Sequence, residues 1–123
     1  MTRRVLVVDD EPDIRELVVL SLLTTDWSVT TAASGEEALR LCSAGEVDVV
    51  LLDVDMPGMD GRQTAVALLA DPRAGVEVVF LTASADVEGL PGPVVPKPFD
   101  PVRLAAQVEA LVSPWVPPPA TPV

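Results

Sequence analysis

Residues 47–61, VDVVLLDVDMPGMDG, decide how the chain folds. Val49 to Leu52 form a short apolar run flanked by Val47 and Val54 and bounded by Asp48 and Asp53, and the segment closes on the turn pair Pro57-Gly58. An apolar run of this length ended by turn residues reads as a β-strand buried on both faces, the habit of parallel sheets. Asp53 then stands at the carboxyl end of the strand, the edge where ligands bind in open α/β sheets. Taken alone, Asp53 is as well explained by a solvated strand end or a helix cap.

The flanking chain repeats the same alternation. Before this stretch, Arg4 to Val8 (RVLVV) reads as a buried strand ending on Asp9-Asp10-Glu11. Pro12 suits a first helical turn, and Ile14, Leu17, Val18, Ser21 and Leu22 follow at helical spacing. Ser28 to Ala32 (SVTTA) reads as a short β-branched strand, and Ser34-Gly35-Glu36-Glu37 as a capping box opening a helix to about Ser43. After the stretch, Asp60 is a cap for a helix from Arg62 to about Ala70, stopped by Asp71-Pro72. Val76 to Leu81 is another strand, ending on Thr82, and Val94-Val95 a fifth, running into Pro96-Lys97-Pro98. Asp100-Pro101 is expected to start the last helix by cap and N1 proline, with Leu104, Ala105, Val108, Leu111 and Val112 as its apolar stripe.

Strands alternating with helices predict an α/β domain: a doubly wound, five-stranded parallel sheet of flavodoxin-like order 2-1-3-4-5. One interval breaks the rhythm. Ala83 to Gly92 must carry the crossover between the last two strands, yet Gly89, Pro91 and Gly92 leave room for a turn or two of helix at most. A loop or stub is expected in place of the fourth helix. Residues 1–112 are expected to form the domain, and 113–123 (SPWVPPPATPV), with five prolines, an extended mobile tail or linker stump.

Composition narrows the chemistry. The 123 residues suit one domain, and a net charge of −11 with no basic run argues against binding nucleic acid or an anionic membrane through this domain. The amino terminus is too short in apolar residues for a signal peptide or membrane span, so a cytoplasmic location is expected. The single cysteine, Cys42, forms no internal disulfide and reads as a small core residue. Histidine and tyrosine are absent, so carboxylates must carry any acid, base or nucleophile chemistry. Seven of the eight basic residues are arginine; the solitary Lys97 suggests a place that needs a compact point charge, against the simpler alternative of drift in composition.

The strand ends bring this chemistry together. In the expected sheet order, Asp9 and Asp10, Asp53, Thr82 and Lys97 converge on one carboxyl edge. Neighbouring carboxylates repel unless a cation compensates, and an all-oxygen set of two or three acids with open positions suits Mg²⁺ better than Ca²⁺. Carboxylate, metal, hydroxyl and ammonium together make a phosphoryl-transfer site: Asp53 as nucleophile, Lys97 as counter-charge and Thr82 as hydrogen-bond donor. Singly, each has a structural explanation as a cap or a turn residue.

Over nearly its whole length the chain resembles the response regulator receiver domains of two-component signalling, on VLVVDDEPDIREL, LLDVDMPGMDG, FLTA and VPKPFD. The resemblance implies that Asp53 is the phosphoacceptor and that Asp9 and Asp10 hold Mg²⁺ together with Asp53 and the backbone carbonyl of Asp55. It also makes Thr82 the switch hydroxyl and Lys97 the phosphoryl-binding lysine. A histidine kinase or histidine phosphotransfer protein is the implied donor, in keeping with the missing histidine. The downstream partner is an unknown protein, and a homodimer is left open. Such a domain catalyses only its own aspartyl phosphorylation and dephosphorylation. Two departures stand out: Val94 occupies the position where receivers usually carry an aromatic, and the fourth helix is short or missing. Two rivals follow. One is a receiver-shaped binding module that works without phosphorylation. The other is a haloacid-dehalogenase-type phosphatase built on Asp53-Val54-Asp55, which the acidic pair upstream and the short chain downstream disfavour.

Overall fold

The computed structural model describes residues 2–116. Five strands and four helices follow in the order β1 (Arg4–Val8), α1 (Pro12–Ser21), β2 (Ser28–Ala32), α2 (Gly35–Ser43), β3 (Val49–Leu52), α3 (Gly61–Ala70), β4 (Glu77–Thr82), β5 (Val94–Pro96) and α4 (Leu104–Leu111). The strands form one parallel sheet of order β2-β1-β3-β4-β5, as expected from the alternation.

Alternate residues of each inner strand feed two separate cores. Leu6, Val8, Val50, Leu52 and Phe80 point to one face and meet Ala38 and Cys42 of α2 and Ala65 and Leu68 of α3. Val5, Val7, Val49, Leu51, Val79 and Leu81 point to the other, against Val18 of α1 and Leu104 and Val108 of α4. Burial on both faces is why these strands are apolar without alternation. Burial also pushes the Cys42 thiol up to about 11, with the Asp71 charge adding to the rise, so the thiol is the inert core group the sequence suggested.

At the amino edge of the sheet, Arg4 grips Asp48 through its backbone N–H (2.7 Å to Oδ2) and through its guanidinium (3.2 Å from Nε to Oδ2, 3.0 Å from Nη2 to Oδ1). Burying one core Val or Leu contributes about 1.5–3 kcal/mol, so the cores hold the strands while this half-exposed pair adds about 1 kcal/mol and pins the start of β1 to β3. Burial acts to raise the Asp48 carboxyl, but the hydrogen bonds and charge of Arg4 outweigh it and hold the group below its ordinary value. A depressed acid stabilises the fold above the ordinary carboxylate range and loses that contribution as pH falls through its lowered folded value. Asp48→Asn is therefore expected to cost about 1 kcal/mol at neutral pH and to cost progressively less in acid. Urea denaturation at pH 7 and in acid checks this; a cost independent of pH would contradict it.

The connection from β4 to β5 contains no helix among its residues 83–93, as Gly89, Pro91 and Gly92 foretold. Leu90 packs onto the α2–α3 core instead, and Pro93 accepts a hydrogen bond from Phe80 N–H at 2.8 Å. A Cβ at Gly92 would come within 2.6 Å of the Val78 carbonyl oxygen, so only glycine lets the connection lie this close to β4.

Three local expectations are corrected. The last helix begins at Leu104, not at Asp100-Pro101: the Asp100 carboxylate accepts from Val102 N–H (2.9 Å) and its carbonyl from Arg103 N–H (3.0 Å), closing a separate turn ahead of α4. The α2 capping box is half formed. Ser34 Oγ accepts from Glu37 N–H, while the Glu37 carboxylate reaches Ala33 N–H rather than that of Ser34. The α3 cap at Asp60 is the complete box, with Gln63 returning the bond. The tail expected to be mobile from Ser113 starts tied down: Ser113 N–H and Oγ both donate to Glu77 (3.0 Å each), and its carbonyl accepts from Arg3 (2.8 Å), whose guanidinium lies 5.9 Å from the Trp27 ring centre. The rest of that expectation, residues 117–123, lies outside the described residues.

Candidate functional site

The hydrogen-bond ladder of the sheet runs one residue past the strands and so fixes the site. Asp9 N–H donates to Ala32 carbonyl (3.2 Å), Asp53 N–H to Val8 carbonyl (3.0 Å) and Lys97 N–H to Thr82 carbonyl (2.8 Å). Asp9, Asp53 and Lys97 thus hang on the last rungs of β1, β3 and β5, and Thr82 is the last residue of β4. All are held by backbone that the two cores make rigid.

The side chains meet as the sequence predicted. Asp9, Asp53 and Thr82 are 2%, 5% and 1% exposed, whereas Asp10 is half-buried. Lys97 Nζ lies 2.6 Å from Asp9 Oδ2 and 3.7 Å from Asp53 Oδ1, so one ammonium serves two buried carboxylates. The other Asp9 oxygen accepts from Glu11 N–H at 2.9 Å, and Arg15 Nη1 donates to the Asp9 carbonyl at 2.7 Å. Burial pushes the Asp53 carboxyl above its ordinary value; the Lys97 charge offsets part of this, the Asp9 charge adds to it, and the Thr82 hydroxyl and Asp55 N–H beside the carboxylate pull it back. The net direction is upward. Thr82 Oγ1 also accepts from Ser84 N–H at 3.0 Å. The Asp55 side chain is exposed and stands outside the cluster.

The donor set fits a hard divalent cation. Asp9, Asp10 and Asp53 each offer a carboxylate oxygen, all within 4.8 Å of one another, and there is no nitrogen or sulfur ligand among them. Three acids against one lysine leave excess negative charge in a buried place, which a small oxygen-preferring ion such as Mg²⁺ would relieve.

Three contributors were not legible as site residues. Arg15 and the Glu11 N–H fix Asp9 from the start of α1, and Gly61 packs against the Asp53 peptide: a Cβ there would collide with the Asp53 carbonyl oxygen. In the sequence Asp60 read as a cap for a helix beginning at Arg62 and Gly61 as a loop residue, whereas α3 begins at Gly61. A glycine at the first helical position, where a better helix former fits, was the available signal.

Sheet order and pocket define a flavodoxin-like α/β domain with a lysine-bridged acidic site at its carboxyl edge. The family model for the response regulator receiver domain matches residues 5–109, and the chain belongs to that family of two-component signalling domains. It is 36% identical over 114 residues to the DNA-binding response regulator MtrA of Mycolicibacterium smegmatis, covering 87% of this chain and 49% of that one. It is 40% identical over 84 residues to the probable transcriptional regulatory protein TcrX of Mycobacterium tuberculosis, covering 68% of this chain and 36% of the relative. The chain thus spans half or less of the length of these curated relatives. Among solved structures it resembles the response regulator TrrA of Thermotoga maritima in complex with Mg²⁺ and BeF (TM-score 0.79, 34% identity, 90% of this chain and 100% of that one). It also resembles chemotaxis response regulator CheY4 of Vibrio cholerae (TM-score 0.81, 29% identity, 91% and 100%). Among the described residues no helix is long and apolar enough to cross a membrane.

Proposed function

We propose that this domain, residues 1–112, is a phosphoacceptor whose Asp53 takes a phosphoryl group from a phosphohistidine donor, a histidine kinase or phosphotransfer protein, in the cytoplasm. The observation that carries the reading is Lys97 bridging Asp9 and Asp53 beside Thr82 at one sheet edge. An Asp53 oxygen forms the new P–O bond as the donor's P–N bond breaks, and the electron pair leaves with the imidazole. Bound at Asp9, Asp10, Asp53 and the Asp55 carbonyl, Mg²⁺ would neutralise charge on the phosphoryl oxygens. Lys97 moves from the carboxylates to a phosphoryl oxygen, and Thr82 donates its hydroxyl to another. That shift of Thr82 reshapes residues 83–95, which carry no helix to resist it. The charge of −11 disfavours this domain as a DNA-binding surface, and residues 113–123 are read as a proline-rich tail or linker stump.

Incubation with acetyl phosphate and Mg²⁺, followed by intact-mass analysis, tests the reading. One phosphoryl group per chain, lost in base as an acyl phosphate is, supports it; an unmodified chain overturns it. Many turnovers on small phosphomonoesters would instead indicate a phosphatase. The helix-free connection and Val94 favour one further reading, a module that docks without phosphorylation, and the same mass experiment decides between them. Lys97→Ala is expected to permit slow labelling at Asp53 while leaving hydrogen exchange across residues 83–95 unchanged on labelling. A full exchange response in that variant would remove Lys97 from the switch.

A further inference from the structure

Arg62 stands in the first turn of α3 and reaches over the connection that replaces the missing helix. Its Nη1 donates to the Glu88 carbonyl at 2.9 Å and its Nη2 to the Asp86 carbonyl at 3.0 Å, with Asp86 Oδ1 3.4 Å away. Two carbonyls two residues apart and a carboxylate are matched by a planar fork, which lysine lacks. The rest of the segment is held by a pair of tandem side-chain turns: Thr82 Oγ1 accepts from Ser84 N–H at 3.0 Å, and Ser84 Oγ from Asp86 N–H at 3.3 Å.

Thr82 ends β4, the strand beside the one that Asp53 follows, and hydrogen bonds run from it through Ser84 and Asp86 to Arg62. The path leads back to the Asp53 segment, because α3 is itself pinned there by Gly61 N–H on the Val54 carbonyl at 2.8 Å. Among the described residues this connection contains no helix, so these contacts, together with Leu90 and the Phe80–Pro93 hydrogen bond, decide where it lies.

We propose that Arg62 is a latch for the resting state: it holds residues 83–92 against α3, and an anion on Asp53 releases it by drawing the Thr82 hydroxyl away from Ser84. The proposal rests on the phosphoacceptor reading and names the element through which that site is regulated. Threonine is β-branched and changes χ1 between discrete wells, so turning its hydroxyl to a new acceptor takes Oγ1 from Ser84 N–H and unties the first of the two turns. The Asp86 and Glu88 carbonyls then lose their register on the fork. Because coupling is reciprocal, anything that weakens the latch must strengthen occupancy of Asp53.

The test uses the full chain with beryllofluoride and Mg²⁺, comparing wild type with Arg62→Gln, Arg62→Lys and Ser84→Ala. Arg62→Gln is expected to raise amide exchange over residues 84–90 in the free protein, towards the rate wild type reaches with beryllofluoride. It is also expected to tighten the apparent beryllofluoride affinity about fivefold, the low end of ordinary coupling, read by NMR titration. Arg62→Lys falls between, keeping the charge without the fork. Ser84→Ala breaks the same path without touching α3, and gives the same tightening should the Arg62 variants fold poorly. Unchanged or weakened affinity in Arg62→Gln and Ser84→Ala, with wild type binding normally, overturns the latch, since a plain loop anchor alters exchange alone. Wild type that takes no beryllofluoride overturns the phosphoacceptor reading and the latch with it.

Discussion

Asp53→Asn is expected to yield a protein that takes no phosphoryl label and, in Mg²⁺-free buffer at neutral pH, unfolds at a higher temperature than wild type. Both outcomes have one origin. Asp53 and Asp9 are buried side by side with one lysine between them, and burial drives the Asp53 carboxyl above its ordinary value. An acid raised in the folded state favours the fold most when protonated; that contribution is present in acid and is lost as pH rises through the raised folded value. At neutral pH the ionised group therefore destabilises the fold. Asparagine keeps the shape and an oxygen to accept from Thr82. It orphans no charge, because Lys97 keeps Asp9 at 2.6 Å. A gain of about 1 kcal/mol, a rise in Tm of about 4 °C, is the expected scale. Mg²⁺ should recover most of this difference in wild type by binding the folded state, and should do less for the variant. Thermal unfolding by circular dichroism at pH 7 and in acid, with and without Mg²⁺, checks it. The advantage of asparagine must shrink in acid, where wild-type Asp53 takes up a proton; a constant advantage, or none, refutes the account.

The sequence made the site readable for a topological reason. A parallel sheet puts every strand's carboxyl end on one edge, so knowing which residue ends each strand is enough to know which residues meet. Asp9, Asp53, Thr82 and Lys97 needed no side-chain geometry to be grouped, only strands recognisable as apolar runs buried on both faces. The missing helix was equally local, because two glycines and a proline within Ala83 to Gly92 disallow it.

What stayed hidden depends on approach between distant segments. Ser113 is held by Arg3, 110 residues away, and by Glu77, 36 away, and a proline-rich composition carries no trace of either bond. Asp100-Pro101 had every local mark of a helix start, yet the Asp100 carboxylate and carbonyl close a turn of their own and Leu104 enters the core only beyond it. Arg62 looked like any exposed helical arginine until its fork was seen over two carbonyls of the connection. Each of these is a competition between local signals that are individually satisfied, decided by what lies opposite in space.

Gly61→Ala is expected to reverse the usual sign of its kind. In most helices glycine to alanine stabilises, by about 0.5–1 kcal/mol. Here the new Cβ would collide with the Asp53 carbonyl oxygen and lie within 2.7 Å of Val54 Cα and 2.9 Å of the Asp53 carbonyl carbon. All three are backbone atoms directly after the rung by which Asp53 N–H is held to Val8, so they cannot swing aside as a side chain would. Either α3 lifts, straining Gly61 N–H on Val54, or the peptide bearing Asp53 shifts. Overpacking of this kind costs about 1–3 kcal/mol, and on the phosphoacceptor reading a displaced Asp53 should be labelled about tenfold to a hundredfold more slowly. Gly35→Ala is the matched control. Its Cβ would collide with the buried Thr64 hydroxyl, which is tied to the Asp60 carbonyl at 2.7 Å, and meet the Met59 side chain; it too should cost stability, but it touches no atom of the Asp53 peptide and should leave labelling at Asp53 at the wild-type rate. Urea midpoints and initial rates with acetyl phosphate separate the two. If Gly61→Ala is neutral in stability, or is labelled as fast as Gly35→Ala, then the helix start is not what holds Asp53 in place, and the rigidity of the site must come from the β1–β3 ladder alone.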